Sequence, residues 1–178
     1  RDVDLTELVR HAVHLALEGQ PTARGIEVDF DPDERPRPIT GDPALLRHAL
    51  INIVDNAILA MPAGGTISIR LRPTLLRGEV SGLAVDFRDE GEGMDTLVRS
   101  RAKDPFFTTR QTGTGLGLAI VERVARVHGG EVTFESHGEA GTTVTFSVPS
   151  AVRQSAVDLE LQTGRFSTVS QIPERPRP

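Results

Sequence analysis

Asp42-Pro-Ala-Leu-Leu-Arg-His48-Ala-Leu-Ile-Asn52-Ile-Val-Asp-Asn56-Ala-Ile-Leu-Ala-Met61 is the segment around which the rest of this chain is organised. It opens with a helix start signal: Asp42 offers a carboxylate to the free N–H groups of a first turn, and Pro43 has no N–H to leave unsatisfied. Leu46, Leu50, Ile53, Ala57 and Met61 recur at helical spacing and predict a buried stripe from Ala44 to about Met61, stopped by Pro62, Gly64 and Gly65. His48, Asn52 and Asn56 stand four apart and share another face. Two asparagines inside a helix are locally unfavourable, because their amides compete for backbone hydrogen bonds. Taken alone, that face reads as a solvated polar strip. It also reads as a row of amide oxygens for a hard cation, and Mg²⁺ suits a site where bound phosphates bring the negative charge.

On the N-terminal side, Asp4 and Glu7 have capping-box spacing ahead of Leu8, Val9, Ala12, Val13 and Ala16, which predicts an amphipathic helix ending at Gly19, Gln20 and Pro21. Ile26–Phe30 alternates as a strand does, and Pro32, Pro36 and Pro38 mark irregular chain. On the C-terminal side, Thr66–Arg72 and Gly82–Arg88 predict an antiparallel pair joined by a loop near Pro73–Ser81. A short helix is expected at Thr96–Lys103 and a long one from about Leu116 to His128, stopped by Gly129 and Gly130. Glu131–Ser136 and Thr142–Val148 predict a hairpin. The expected fold is α+β, a two-layer sandwich with helices on one face of a mixed, mostly antiparallel sheet. It occupies residues 1–149, and the Ser-, Gln-, Arg- and Pro-rich residues 150–178 are expected to be a disordered tail.

Composition narrows the function. Across 178 residues, 20 Lys and Arg stand against 25 Asp and Glu, a net charge of −5, which argues against a nucleic-acid partner. The absence of cysteine excludes a disulfide framework, a thiolate metal site and a cysteine nucleophile. No apolar run approaches the ~18 residues of a membrane span, and there is no signal-peptide pattern. A cytoplasmic location is expected, with membrane attachment of a parent protein left open. Because the first residue is Arg1 rather than Met, a piece of a longer protein is expected.

Further motifs carry chemistry. Asp89-Glu-Gly91-Glu-Gly93-Met94 follows a strand; its carboxylate suits an exocyclic amine, and its glycines let a flat ring approach the backbone. Gly113-Thr114-Gly115-Leu116-Gly117-Leu118 opens into a helix, where free N–H groups and the helix dipole favour phosphate. It is neither a Walker A loop, having no Gly-Lys-Ser/Thr, nor a Rossmann loop, having no strand immediately before it. Pro105-Phe106-Phe107-Thr108-Thr109-Arg110 leads into it through a short polar stretch suited to a flap.

Taken in order, Asn52/Asn56, Asp89-x-Gly-x-Gly, Phe-Phe-Thr-Thr-Arg and Gly-Thr-Gly-Leu-Gly-Leu resemble the N, G1, F and G2 boxes of two-component sensor histidine kinases. The resemblance is to their catalytic ATP-binding domain, the Bergerat-type fold shared with gyrase, MutL and the large heat-shock chaperones. Ala119–Val124 and His128-Gly-Gly130 match the usual continuation of that family's last long helix. The resemblance implies that Asn52 and Asn56 hold Mg²⁺ against the triphosphate of ATP, with His48 near the phosphates. It implies that Asp89 takes the adenine amine, Gly91 and Gly93 pass close to the base, and Gly113, Thr114, Gly115, Leu116, Gly117 and Leu118 wrap the phosphates. Phe106, Phe107, Thr108 and Thr109 would then build the flap and its hinge, and Arg110 would reach the nucleotide. Members that hydrolyse ATP place a glutamate base where this chain has Asn52, which cannot accept a proton at neutral pH. Slow hydrolysis and transfer to another nucleophile are therefore expected.

Such kinases also need a phosphoacceptor histidine in a helical hairpin, followed by an acid and then a proline. None of His11, His14, His48, His128 and His137 has that context. The expected partners are thus the protein's own dimerisation and histidine phosphotransfer domain, outside this chain, and a response regulator; homodimerisation is expected only of the full-length protein. The alternatives are an anti-sigma-type serine kinase of the same fold and a nucleotide-binding regulatory module that transfers nothing.

Overall fold

The computed structural model describes residues 1–32, 35, 37–93, 116–136 and 140–151. The elements follow as β1 (Asp2–Asp4), α1 (Leu5–Gly19), a 3-10 turn (Pro21–Ala23), β2 (Ile26–Asp29), β3 (Pro38–Thr40), α2 (Pro43–Ala60), β4 (Gly65–Leu76), β5 (Val80–Asp89), α3 (Gly117–Val127), β6 (Glu131–Ser136) and β7 (Thr142–Pro149). Both early helices start at their capping residues. The Asp4 carboxylate accepts the N–H groups of Thr6 (2.8 Å) and Glu7 (3.4 Å), and also that of Arg37 (3.1 Å), tying α1 to the chain that enters β3. Asp42 accepts those of Ala44 (2.8 Å) and Leu45 (3.1 Å).

Among the described residues, the main sheet has five strands in the order β2-β4-β5-β7-β6, and only the β2–β4 pair is parallel. Because side chains alternate across a strand, register divides the sheet into two unlike faces. Ile67 and Ile69 of β4, Leu83, Val85 and Phe87 of β5, Val144, Phe146 and Val148 of β7, and Val132 of β6 lie in one core with the apolar stripes of α1, α2 and α3. The opposite face is polar. There Arg72 pairs with Asp86 across β4 and β5 through two hydrogen bonds (2.7 and 3.1 Å), and Thr145 of β7 donates to the same carboxylate (2.7 Å). The α+β two-layer sandwich, with its helices on one face of the sheet, is the architecture found.

Several local expectations change. Pro73–Ser81 is not a loop: β4 runs on to Leu76 and β5 begins at Val80. The connection is a tight turn in which Glu79 N–H bonds the Leu76 carbonyl (3.1 Å), with Arg77 (φ 51°) and Gly78 (φ 77°) both at positive φ, as hairpin turns require. Pro73 is tolerated because β2 pairs β4 over Gly65–Ser68, so that among the described residues no strand pairs that edge of β4 at Pro73. The proline-rich segment contains a strand, β3, paired with the equally unexpected β1. Ser150 and Ala151 are bonded to the fold, by Ser150 N–H to the Ser81 carbonyl (3.0 Å) and Ala151 N–H to the Pro38 carbonyl (2.9 Å). Backbone bonding to the fold thus continues to Ala151. The helix expected at Thr96–Lys103 and the tail from residue 152 onward lie outside the described residues.

Candidate functional site

The site is built along α2. His48, Asn52 and Asn56 occupy successive turns of its polar side, His48 exposed and the asparagines half-buried. The Asn52 amide nitrogen donates to the His48 carbonyl one turn back (2.9 Å). Its oxygen is thereby turned the other way, toward the start of α3: a Cβ built on Gly117 would lie 3.1 Å from Asn52 Oδ1 and 3.4 Å from Asn56 Nδ2. Gly117 is therefore the point at which α3 approaches the two asparagines, and Leu116 and Leu118 flank it, half-buried. Among the described residues, no side chain caps the α3 N-terminus. Its first N–H groups and the positive end of its dipole lie beside two amides, an arrangement suited to a polyanion with a bound cation. An amide oxygen, fixed by the bond its own nitrogen makes, is the donor type Mg²⁺ prefers, so the residues present fit that ion.

One helical turn beyond Asn56, ~6 Å along the axis, α2 meets the loop after β5. A Cβ on Gly91 would fall 2.7 Å from both the carbonyl oxygen and the Cβ of Ala60, so only glycine lets this loop lie on the helix. Asp89, the last residue of β5, is buried, and its Oδ1 accepts the N–H groups of Gly91 (2.9 Å) and Thr142 (3.2 Å). Gly93 closes the loop at φ 71°. The loop is further anchored by Glu90: its N–H points to Met61 Sδ (3.3 Å) and its carboxylate accepts Thr66 N–H (3.0 Å). A buried carboxylate beside glycine backbone thus stands one turn of α2 away from two amides at a helix N-terminus.

The described residues bring together Asn52, Asn56 and Gly117 at one end and Asp89 and Gly91 at the other, with His48 one turn outside. Phe106, Phe107, Thr108, Thr109, Arg110, Gly113, Thr114 and Gly115 lie outside the described residues. Sequence analysis missed Gly141 and Thr142, which complete the surroundings of Asp89: Gly141 (φ 90°) is so close that a Cβ there would be 1.9 Å from the Asp89 carbonyl oxygen. Nothing local in Glu139-Ala-Gly-Thr signals this. The β5–β7 pairing, in which Arg88 lies opposite Thr143, brings it about.

Residues 41–152 match the family described as histidine kinase-, DNA gyrase B-, and HSP90-like ATPase. The chain belongs to this family. Sporulation kinase A of Bacillus subtilis is 34% identical over 137 residues, 77% of this chain and 22% of that protein. The mycobacterial sensor histidine kinase MprB superposes with a TM-score of 0.71 at 27% identity, over 84% of this chain and 97% of the MprB chain. Full-length ShkA, solved in complex with AMPPNP, gives 0.69 at 26% identity, over 87% of this chain and 32% of its own. The chain is thus the catalytic ATP-binding domain of a sensor histidine kinase, and it spans about a fifth of its curated relative, sporulation kinase A. No helix among the described residues is long and apolar enough to cross a membrane.

Proposed function

We propose that this histidine kinase-like domain binds Mg²⁺-ATP in a groove along α2 and delivers the γ-phosphate to a histidine on a separate phosphotransfer domain, for relay to a response regulator. The observation that carries this is the spacing along one helix: two amides against the α3 N-terminus, and, one turn on, a buried carboxylate beside glycine backbone. Asp89 would accept the adenine amine, and Gly91 and Gly93 would let the ring reach the backbone. Guanine presents a carbonyl oxygen at that position, and two facing acceptors repel, so ATP would be preferred over GTP.

At the other end, Asn52 and Asn56 would hold Mg²⁺, which supplies charge neutralisation of the phosphate oxygens. The N–H groups around Gly117 would take further phosphate oxygens, together with those of the Gly113–Gly115 segment. His48 would lie beside the phosphates, and Phe106, Phe107, Thr108, Thr109 and Arg110 would form the flap that shields them. Asn52 accepts no proton, so it leaves water unactivated and reserves the phosphoryl group for an imidazole brought from elsewhere. Positioning and electrostatic stabilisation are what phosphoryl transfer asks of a protein. A cytoplasmic location and dimerisation through the separate domain belong to the same proposal.

The test is calorimetric titration of the domain with Mg²⁺-ATP and Mg²⁺-GTP. Saturating heat with ATP alone, flat afterwards, is the expected result. Continuous heat from hydrolysis would move the chain to the ATPase branch of the family, and equal binding of the two nucleotides would remove the role given to Asp89.

A further inference from the structure

Far from the groove, at the other end of α3, a second contact between α3 and α2 is assembled with specificity. His128, the residue that ends α3, places its ring between two backbone groups. Its Nδ1 lies 2.8 Å from the Val124 carbonyl and its Nε2 3.0 Å from the Asp42 backbone nitrogen. A carbonyl only accepts and an amide N–H only donates, so these two contacts suit a ring that donates through Nδ1 and accepts at Nε2. Space is kept for it: a Cβ on Gly41 would fall 2.6 Å from His128 Cδ2 and 2.9 Å from Nε2. The Asp42 N–H it receives belongs to the residue that caps α2.

Beside the core packing between them, the two helices therefore also meet at both ends of α3. Asp42 to Asn52 spans ten residues of α2, and α3 itself has 11 residues, so each side of this frame is ~15–16 Å long. If the contact at Asp42 fixes one end of α3, it fixes where Gly117 arrives against Asn52 and Asn56. Sliding α3 by one residue, ~1.5 Å along its axis, would break that arrival. We propose that His128 is a positioning residue for the phosphate end of the groove: through its bond to Asp42 it sets the axial register of α3, and hence the placement of the Gly117 backbone against the two asparagines. This rests on the nucleotide reading above.

The role predicts a selective effect. Phosphate contacts depend on the α3 register, whereas Asp89 ends β5 and Gly91 lies in the loop that rests on α2, so the base contacts do not. His128→Phe keeps a ring and removes both hydrogen bonds. Gly41→Ala leaves the His128 side chain unchanged while its Cβ presses on the ring and, at 2.7 Å, on Leu46 Cδ1, and the Gly41 backbone has no positive φ to make alanine strained in itself. Both should weaken calorimetric binding of Mg²⁺-AMPPNP by about tenfold while adenosine stays within about twofold. His128→Gln, whose amide offers a donor nitrogen and an acceptor oxygen, should recover most of the loss.

Circular dichroism melts establish that each variant is folded, and Gly41→Ala carries the comparison if His128→Phe is not. AMPPNP binding by the folded variants at the wild-type level would overturn the positioning role and leave the nucleotide reading standing. Equal loss of AMPPNP and adenosine would make His128 a general packing residue, and no recovery in His128→Gln would attribute the effect to ring packing; either overturns the proposal. Wild-type protein that binds neither probe overturns the nucleotide reading along with it.

Discussion

The Asp89 carboxylate and the Thr142 amide are 53 positions apart in sequence and joined by a 3.2 Å hydrogen bond. The same oxygen takes Gly91 N–H, so the side chain proposed to accept the adenine amine also ties the loop after β5 to the start of β7. This changes how a substitution there must be interpreted.

Asp89→Ala would leave two backbone N–H groups without their acceptor in a buried place, at roughly 1–3 kcal/mol each. Lost nucleotide binding in that variant would therefore be confounded with lost structure. Asp89→Asn retains an oxygen for both N–H groups and presents an amide donor in place of an acceptor. It should melt within about 1 kcal/mol of wild type, lose its preference for ATP and gain affinity for GTP. Denaturant melts paired with calorimetry on both nucleotides check this; an Asn variant that still selects ATP would dissociate Asp89 from base recognition.

Asn56 and Mg²⁺ are expected to act as one unit. Asn56→Ala in Mg²⁺, or chelation of Mg²⁺ from the wild type, should each weaken ATP by about tenfold or more, as loss of charge-assisted contacts does. Chelation should add little to Asn56→Ala, because contacts in one network are not additive. Adenosine binding should be unchanged throughout. Additive losses would place Asn56 outside the cation site.

Two glycines at similar φ separate backbone strain from lost space. Gly78→Ala lies at φ 77° with nothing within 4 Å, whereas Gly141→Ala lies at φ 90° with its Cβ 1.9 Å from the Asp89 carbonyl oxygen. The first should cost about 1 kcal/mol, the strain of a left-handed alanine. The second should cost several times more and weaken ATP as well, because it displaces the strand end that carries Asp89. Urea denaturation of both variants gives the comparison, and equal costs would show that the loop before β7 yields freely.

Asp55 lies on α2 beside the Gln20 side chain. Burial pushes its carboxyl above the ordinary 3.8, with a hydrogen bond to the Gln20 side chain working against the shift. The folded state then holds the proton more tightly than the unfolded chain. Stability therefore falls as pH rises from the unfolded value through the raised folded one, and the cost is fully present at neutral pH. Asp55→Asn should raise stability slightly at pH 7, by roughly 0.5 kcal/mol, and give no gain below the unfolded value. Melts at pH 7 and pH 3.5 test the sign; a loss at pH 7 would mean the Gln20 bond outweighs burial.

What the sequence made legible follows from range. Helix starts at Asp4 and Asp42, the stripe on α2 and the strand alternation are encoded within a few residues, and each is found where expected. The Asn52/Asn56 face and Asp89-x-Gly-x-Gly were visible as motifs because their geometry comes from one helix and one strand end. The strands β1 and β3 were not visible, since three residues each, one set beginning with Pro38, carry no period. Gly41, Gly141 and Thr142 escaped for another reason. Their importance lies in what presses against them (His128 in one case, the Asp89 backbone in the other), and that proximity is created by tertiary pairing alone.

Strand β3 is flanked on both sides: Val3 of β1 lies opposite Ile39, and Ser150 bridges to the same Ile39. Tension applied between Asp2 and Ala151 would therefore be met first by the backbone bonds around one buried isoleucine. From β3 the chain passes through Gly41 into Asp42, the cap of the helix that carries Asn52 and Asn56, so a pull on those two positions would be felt at the end of that helix.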